Sequence, residues 1–183
     1  MAGHSDNDMG LPSFADPVKV AIVIAPYYTK ISEAQLASAR GVLEAAGATH
    51  ETIEVPGSLE IPSAITLAHR LSNYDGFVAL GCVIRGRTSH YDVVVEQSAH
   101  GIMLLGLQGL CIGNGIITVE NMEQAEERAD AARLDTAGAA AQAALHLIAL
   151  ARKWQSSRKG VGFAPGSYRI AGGGDDDPES FPV

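Results

Sequence analysis

Cysteine, aromatic residues and a surplus of basic charge are all scarce in this 183-residue chain, and each shortage closes off a class of function. The two cysteines, Cys82 and Cys111, stand singly inside apolar runs, which argues against a zinc site and against a disulfide framework and marks both as buried thiols. Lys and Arg number 13 against 21 Asp and Glu, a formal charge of −8, so no basic stripe is on offer to nucleic acid or to an anionic membrane surface. An anionic ligand must therefore be held by local groups. No segment approaches the roughly 20 consecutive apolar residues of a membrane helix, and the opening MAGHSDNDMGLPSFADP carries no basic leader before a long apolar stretch, so a cytoplasmic location is expected. What is present, 46% hydrophobic and 19% charged residues, suits one well-cored domain with residues to spare for tails.

Val18 to Ala25, VKVAIVIA, is a β-branched run between Pro17 and Pro26 and reads as a strand buried on both faces. From Ser32 to Ala46 the apolar spacing lengthens to i+3 and i+4, and Gly47 stands just past the end, the pattern of a helix with a glycine stop. The alternation then repeats: a strand over Thr49 to Val55, a helix over Glu60 to Leu71 with Pro62 in its first turn, a strand over Gly76 to Ile84, and a helix over His90 to Leu107. A fourth strand covers Leu110 to Thr118, a helix with an Asn121–Gln124 capping box covers Asn121 to Ala132, and an alanine-rich helix over Gly138 to Trp154 closes the core. Residues 155–183 hold six glycines, three prolines and the run Asp175-Asp176-Asp177, too few large apolar residues to form a core. The expected organisation is thus a flexible N-terminal segment over residues 1–17, one domain over residues 18–154, and a flexible Gly/Asp/Pro-rich tail over residues 155–183. The alternation predicts an α/β fold, a flavodoxin-like three-layer αβα sandwich with a four-stranded parallel sheet. Such sheets bind ligands beyond the carboxyl ends of their strands.

The third strand ends in G-C-V-I-R-G-R-T-S-H-Y-D, where Thr88, Ser89 and His90 open a helix whose free N–H groups suit an anion. His90 stands at the mouth of that turn, where an imidazole can shuttle protons, although a lone histidine near a helix start is more often a cap or a surface residue. Arg85 and Arg87 are ordinarily ion-pair partners or solvated side chains. In V-P-G-S-L-E-I-P, Val55 to Pro62, the prolines shape a turn and Glu60 can accept hydrogen bonds from hydroxyl groups; its ordinary role would be a first-turn acid favoured by the helix dipole. Tyr27 and Tyr28 follow the first strand, where a ring can stack on a planar heterocycle or pack in the core. Arg128 has Gln124 where an intrahelical ion pair would need a glutamate, so it is the better anion-ligand candidate.

Taken in order, V-P-G-S-L-E-I-P, then Y-D-G-F-V-A-L-G-C-V-I-R-G-R-T-S-H-Y-D, then G-I-I-T-V-E-N-M-E-Q-A-E-E-R-A resemble the lumazine synthase family over about Val18 to Trp154. The resemblance implies condensation of 5-amino-6-(D-ribitylamino)uracil with 3,4-dihydroxy-2-butanone 4-phosphate to 6,7-dimethyl-8-ribityllumazine in riboflavin biosynthesis, with no metal or organic cofactor. It implies a homopentamer, or an assembly of pentamers, whose active sites are shared between subunits. Carried onto this chain, it makes His90 the general acid and base, and Arg128 the phosphate ligand with backbone N–H groups around Arg87 and Thr88. Tyr27 would stack on the pyrimidine, Ser58, Leu59 and Glu60 would line the ribityl chain and ring edge, and Cys82, Val83 and Ile84 would flank the heterocycle. Asn114 would reach in from the adjacent subunit.

The chain departs from the family pattern in three places. Tyr28 stands where the family often has asparagine, and Asn114 where an aromatic is expected. The lysine often found before the last helix is replaced by Thr136 or Ala137, leaving Arg133 as the nearest cation. The same loop reads one residue longer than in capsid-forming relatives, which favours free or paired pentamers. A homologue that holds a lumazine or flavin without efficient turnover is the competing expectation.

Overall fold

A computed structural model describes residues 9–158; the N-terminal residues 1–8 and the glycine-rich tail from residue 159 lie outside the described residues. Strands and helices alternate as β1 (Lys19–Ile24), α1 (Thr29–Ala45), β2 (Thr49–Glu54), α2 (Ile61–Leu71), β3 (Gly76–Ile84), α3 (His90–Leu107), β4 (Ile112–Val119), α4 (Met122–Ala129) and α5 (Thr136–Arg158). The strands form one parallel sheet in the order β2-β1-β3-β4, the doubly covered architecture that the alternation predicts. Even-numbered residues of β1, from Val20 to Ile24, pack with Leu43 of α1 and Leu145 and Ile148 of α5 on one face. Ala21 and Val23 pack on the other with Ile61 and Ile65 of α2 and Ile102 and Leu105 of α3. This period-2 division of one apolar run explains why VKVAIVIA shows no polar alternation.

Two helices start earlier than their apolar periodicity suggests. At α1 the turn Thr29–Ile31 precedes Ser32, whose backbone N–H and hydroxyl both bind the Tyr28 carbonyl, at 2.9 and 3.0 Å. At α5, Asp135 receives the Gly138 N–H at 3.1 Å and the Ser38 hydroxyl, so the helix is capped three residues before Gly138 and tied to α1. The capping box at α4 forms with a shift: Asn121 Oδ1 accepts from Gln124 N at 3.0 Å, while Gln124 Oε1 accepts from Glu120 N rather than Asn121 N. Helix α5 lies directly on β4 because Gly113 has no side chain there. A Cβ at that position would sit 1.8 Å from the Ala140 carbonyl oxygen.

Gln35 of α1 is fully buried and its Nε2 donates to the carbonyls of Gly81 (3.1 Å) and Gly115 (3.0 Å), bridging β3 and β4. This fixes the amide's orientation, since the flipped form would face two carbonyl oxygens with a third. Gln35 Oε1 has no hydrogen-bond partner among the described residues. Gln35→Leu should therefore change stability by no more than about 1–2 kcal/mol, because the two lost bonds are offset by removal of that unsatisfied oxygen. Gln35→Glu should cost about 3 kcal/mol or more near pH 8, where an ionised carboxylate would face two carbonyls. Burial raises such a group's pKa, so the deficit should shrink as pH falls and the carboxyl gains a proton to donate. Thermal unfolding of the Glu variant between pH 5 and 8 checks the sign, and a pH-independent melting temperature would contradict this assignment.

Candidate active site

The pairing of β1 with β3 stops at Ile24 and Leu80, closed by the Ala25 N–H on the Leu80 carbonyl at 3.0 Å, whereas β3 continues along β4 as far as Ile84 and Val119. On the β1 side the stretch Cys82–Ile84 therefore has no neighbouring strand among the described residues. Phe77 and Arg85 direct their N–H groups toward β4, onto Cys111 and Val119. By alternation the backbone groups of Cys82 and Ile84 point the other way, into the gap. Here the strand order also reverses direction, from β1 outward to β2 and from β3 outward to β4, the place where open parallel sheets take ligands.

A cavity of about 380 Å³ fills this gap, lined by Cys82, Val83 and Ile84 of β3, by Pro56 to Glu60, by Tyr27 and Tyr28, and by His90 and Val94. Of the residues singled out from sequence, Tyr27, Ser58, Leu59, Glu60, Cys82, Val83, Ile84 and His90 are brought together on its walls. Arg87 and Thr88 lie in the exposed turn just before α3; Asn114 and Arg128 lie on β4 and α4, and none of these four lines the cavity within one chain. Sequence reasoning passed over Val94 and gave Tyr28 no assigned role. Val94 was recoverable, since it follows His90 by four residues on a helix and shares its face.

The polar groups of the cavity differ in how they are engaged. Among the described residues the His90 side chain makes no hydrogen bond, and the residue is exposed. Asp92, two residues on, is taken by Arg85: the Arg85 guanidinium reaches Asp92 at 3.0 Å and Glu120 at 2.9 Å and lies 4.0 Å over the Tyr91 ring. Arg85 thus joins the ends of β3 and β4 to the first turn of α3 that carries His90. Glu60 begins α2 but makes no side-chain cap bond, so its carboxylate is not engaged by the helix start. It lies over Gly57, where a Cβ would come within 2.9 Å of Glu60 Oε2. The start of α3 likewise has no side-chain cap, leaving its first N–H groups available.

Ser58 is buried, Tyr27 is 73% exposed, and Tyr28 is half-buried. Burial, helped by the neighbouring Cys82 and Tyr27, pushes the Tyr28 phenol above its ordinary range, and burial pushes the Cys82 thiol up to about 11. Arg128 has no ion-pair or hydrogen-bond partner among the described residues, because Gln124 is occupied at the start of α4. Arg133 pairs with Glu127 at 3.0 Å, and Ala137 is packed in the core, so neither offers a free cation at the place where the lysine is absent. No group of three or more His, Cys, Asp and Glu converges as a metal site among the described residues.

The sequence model of 6,7-dimethyl-8-ribityllumazine synthase matches residues 17–152. Over 174 residues the chain is 72% identical to 6,7-dimethyl-8-ribityllumazine synthase of Jannaschia sp. (strain CCS1), covering 94% of this chain and 98% of that protein. It is 53% identical to the synthase of Sphingopyxis alaskensis over 72% of this chain and 93% of the relative. It is also 48% identical to 6,7-dimethyl-8-ribityllumazine synthase 1 of Rhizobium meliloti, over 75% and 94% respectively.

A thiol pushed up to about 11 is protonated and weakly nucleophilic at neutral pH. Cys82 should therefore react with iodoacetamide far more slowly than a free thiol at pH 7.5, with the rate climbing about tenfold per pH unit until the pH approaches about 11. Peptide mapping after timed alkylation checks this, and rapid labelling of Cys82 at pH 7.5 in the folded protein would contradict it.

Proposed function

This chain belongs to the 6,7-dimethyl-8-ribityllumazine synthase family and condenses 5-amino-6-(D-ribitylamino)uracil with 3,4-dihydroxy-2-butanone 4-phosphate in riboflavin biosynthesis; we propose that the cavity beside Cys82–Ile84 is its active site, completed by a neighbouring subunit. The observation that carries this reading is a single cavity bordered by an exposed aromatic ring, unpaired strand backbone, a free carboxylate and an unengaged histidine.

Tyr27 stacks on the pyrimidine, and the open backbone of Cys82 and Ile84, with Val83 between them, meets the alternating N–H and C=O edge of that heterocycle. Ser58, Leu59 and Glu60 take the ribityl chain, whose hydroxyls donate to the Glu60 carboxylate. Backbone N–H groups around Arg87 and Thr88 hold the phosphate at the start of α3, helped by Arg128. The amine of the pyrimidine adds to the ketone and water leaves to form an imine. Removal of the C3 proton expels phosphate from C4 and leaves an enol, which takes a proton at C4 to become the C3 ketone; the second amine then adds to C3 and closes the ring with loss of another water. Each step needs a proton moved at a held atom, and His90 supplies and accepts it; the remaining acceleration comes from holding the two substrates together.

Two features support an assembly of subunits. Helix α3 turns Val93, Met103, Leu104 and Leu107 outward, with Leu107 77% exposed, an apolar face that is costly to leave in water. Strand β4 is an open edge of the sheet and carries the exposed Asn114. We assign α3 to the contact around a fivefold axis and place Asn114 and Arg128 at the neighbour's cavity. The long loop before α5 favours free or paired pentamers, and the protein works in the cytoplasm.

Purified protein given both substrates should generate lumazine fluorescence well above the uncatalysed rate; product at background only would sink the enzyme reading. Its mass in solution should be five subunits or a multiple of five. His90→Ala should lower turnover by about ten- to a hundredfold without dissociating the assembly. Arg128→Ala should raise KM for the sugar phosphate by about the same factor while leaving that for the pyrimidine little changed. Coexpressed His90→Ala and Arg128→Ala subunits should recover part of the activity, since some mixed interfaces then hold one intact site. Absence of recovery would place Arg128 in the same subunit's site as His90.

A further inference from the structure

The geometry points to Tyr28 as a positioning residue that acts through Tyr27, holding the ring on which the pyrimidine stacks. This rests on the stacking role given to Tyr27 above. Tyr27 is 73% exposed, and its ring hydroxyl makes no hydrogen bond among the described residues. A side chain so placed samples several rotamers, and most of them would not present a face to the cavity. The aromatic contact recorded for this ring is Tyr28, with centroids 5.0 Å apart and planes at 71°. In either sense of that edge-to-face contact, at least one face of Tyr27 stays open to a planar ligand.

Tyr28 is built to serve as the fixed half of the pair. Its carbonyl accepts both the Ser32 N–H and the Ser32 hydroxyl, and Ser32 is itself buried. Its half-buried ring packs against the cluster of Ile31, Cys82, Ile117 and the α4 alanines. Tyr27, one residue earlier, is held in the backbone by its own N–H on the Ala25 carbonyl at 2.9 Å, leaving only side-chain rotation to be restrained. Ordering the ring before the ligand arrives removes an entropy cost from binding, so the effect should fall on pyrimidine affinity rather than on chemistry.

A double-mutant cycle in the assembled enzyme tests this. Tyr28→Leu should raise KM for the pyrimidine about three- to tenfold, with kcat and KM for the sugar phosphate within twofold. Tyr28→Phe, which keeps the ring, should stay within twofold of the parent on all three. In a Tyr27→Leu background, Tyr28→Leu should add less than a further twofold, because the ring it positions is gone. Equal and independent factors in the two backgrounds would overturn the proposal, as would damage by Tyr28→Phe matching that of Tyr28→Leu. A pyrimidine KM unchanged by Tyr27→Leu alone would instead overturn the stacking role of Tyr27. Solution mass and melting temperature accompany each variant, and Tyr28→Met carries the same cycle if Tyr28→Leu does not assemble.

Discussion

The unequal length of the strands around β3 is the constraint on which the rest of this structure depends. β1 leaves the sheet after Leu80, while β4 keeps pairing to Ile84, so one side of β3 is bonded and the other is bare over its last residues. Backbone donors and acceptors left without a strand must meet water or a ligand. The turn after β1 swings Tyr27 and Tyr28 past the gap, the turn after β2 brings Ser58 to Glu60 against it, and the exit of β3 leads into the helix that carries His90. Gln35 and Arg85 guard this offset from two sides. The first pins β3 to β4 from within the core, and the second pins their outer ends to the first turn of α3.

Charge is distributed with the same economy. A chain of net charge −8 handling a sugar phosphate needs local positive groups, and several of its cations near the carboxyl edge already have carboxylate partners. Arg85 is shared between Asp92 and Glu120, and Arg133 is engaged by Glu127. The uncapped start of α3 and Arg128, which has no side-chain partner among the described residues, remain for an anion, and they lie on separate parts of one subunit. The exposed apolar side chains of α3 and the open edge of β4 supply a physical reason for subunits to meet and for such separated groups to converge.

Much of the fold was legible because it rests on periodicity. The unbroken run Val18 to Ala25 and the i+3, i+4 spacing of Leu36, Ala39 and Leu43 are local patterns, and both elements appear where they point. Helix starts were less legible: α1 and α5 each begin earlier than their apolar stripe, and at α5 the cap, Asp135 accepting from Gly138 N–H and from the Ser38 hydroxyl, acts through side-chain geometry that spacing does not encode. Arg85 shows the same limit at the site. Its residue type allowed a solvated side chain or an ion pair equally, and only the juxtaposition of β3, β4 and α3 selected the pair with Asp92 and Glu120.

By itself, then, the sequence determined the alternating elements, the parallel sheet and the strand-end segments from which the site is drawn, because hydrophobic period and turn residues act over a few neighbouring positions. Tertiary structure alone decided where β1 stops against β3, which polar side chains are already engaged, and that Tyr28 rather than the core braces the Tyr27 ring. Those outcomes depend on distances between groups far apart in the chain, such as Gln35 and Gly115 or Arg85 and Glu120, and such distances exist only after the sheet has closed.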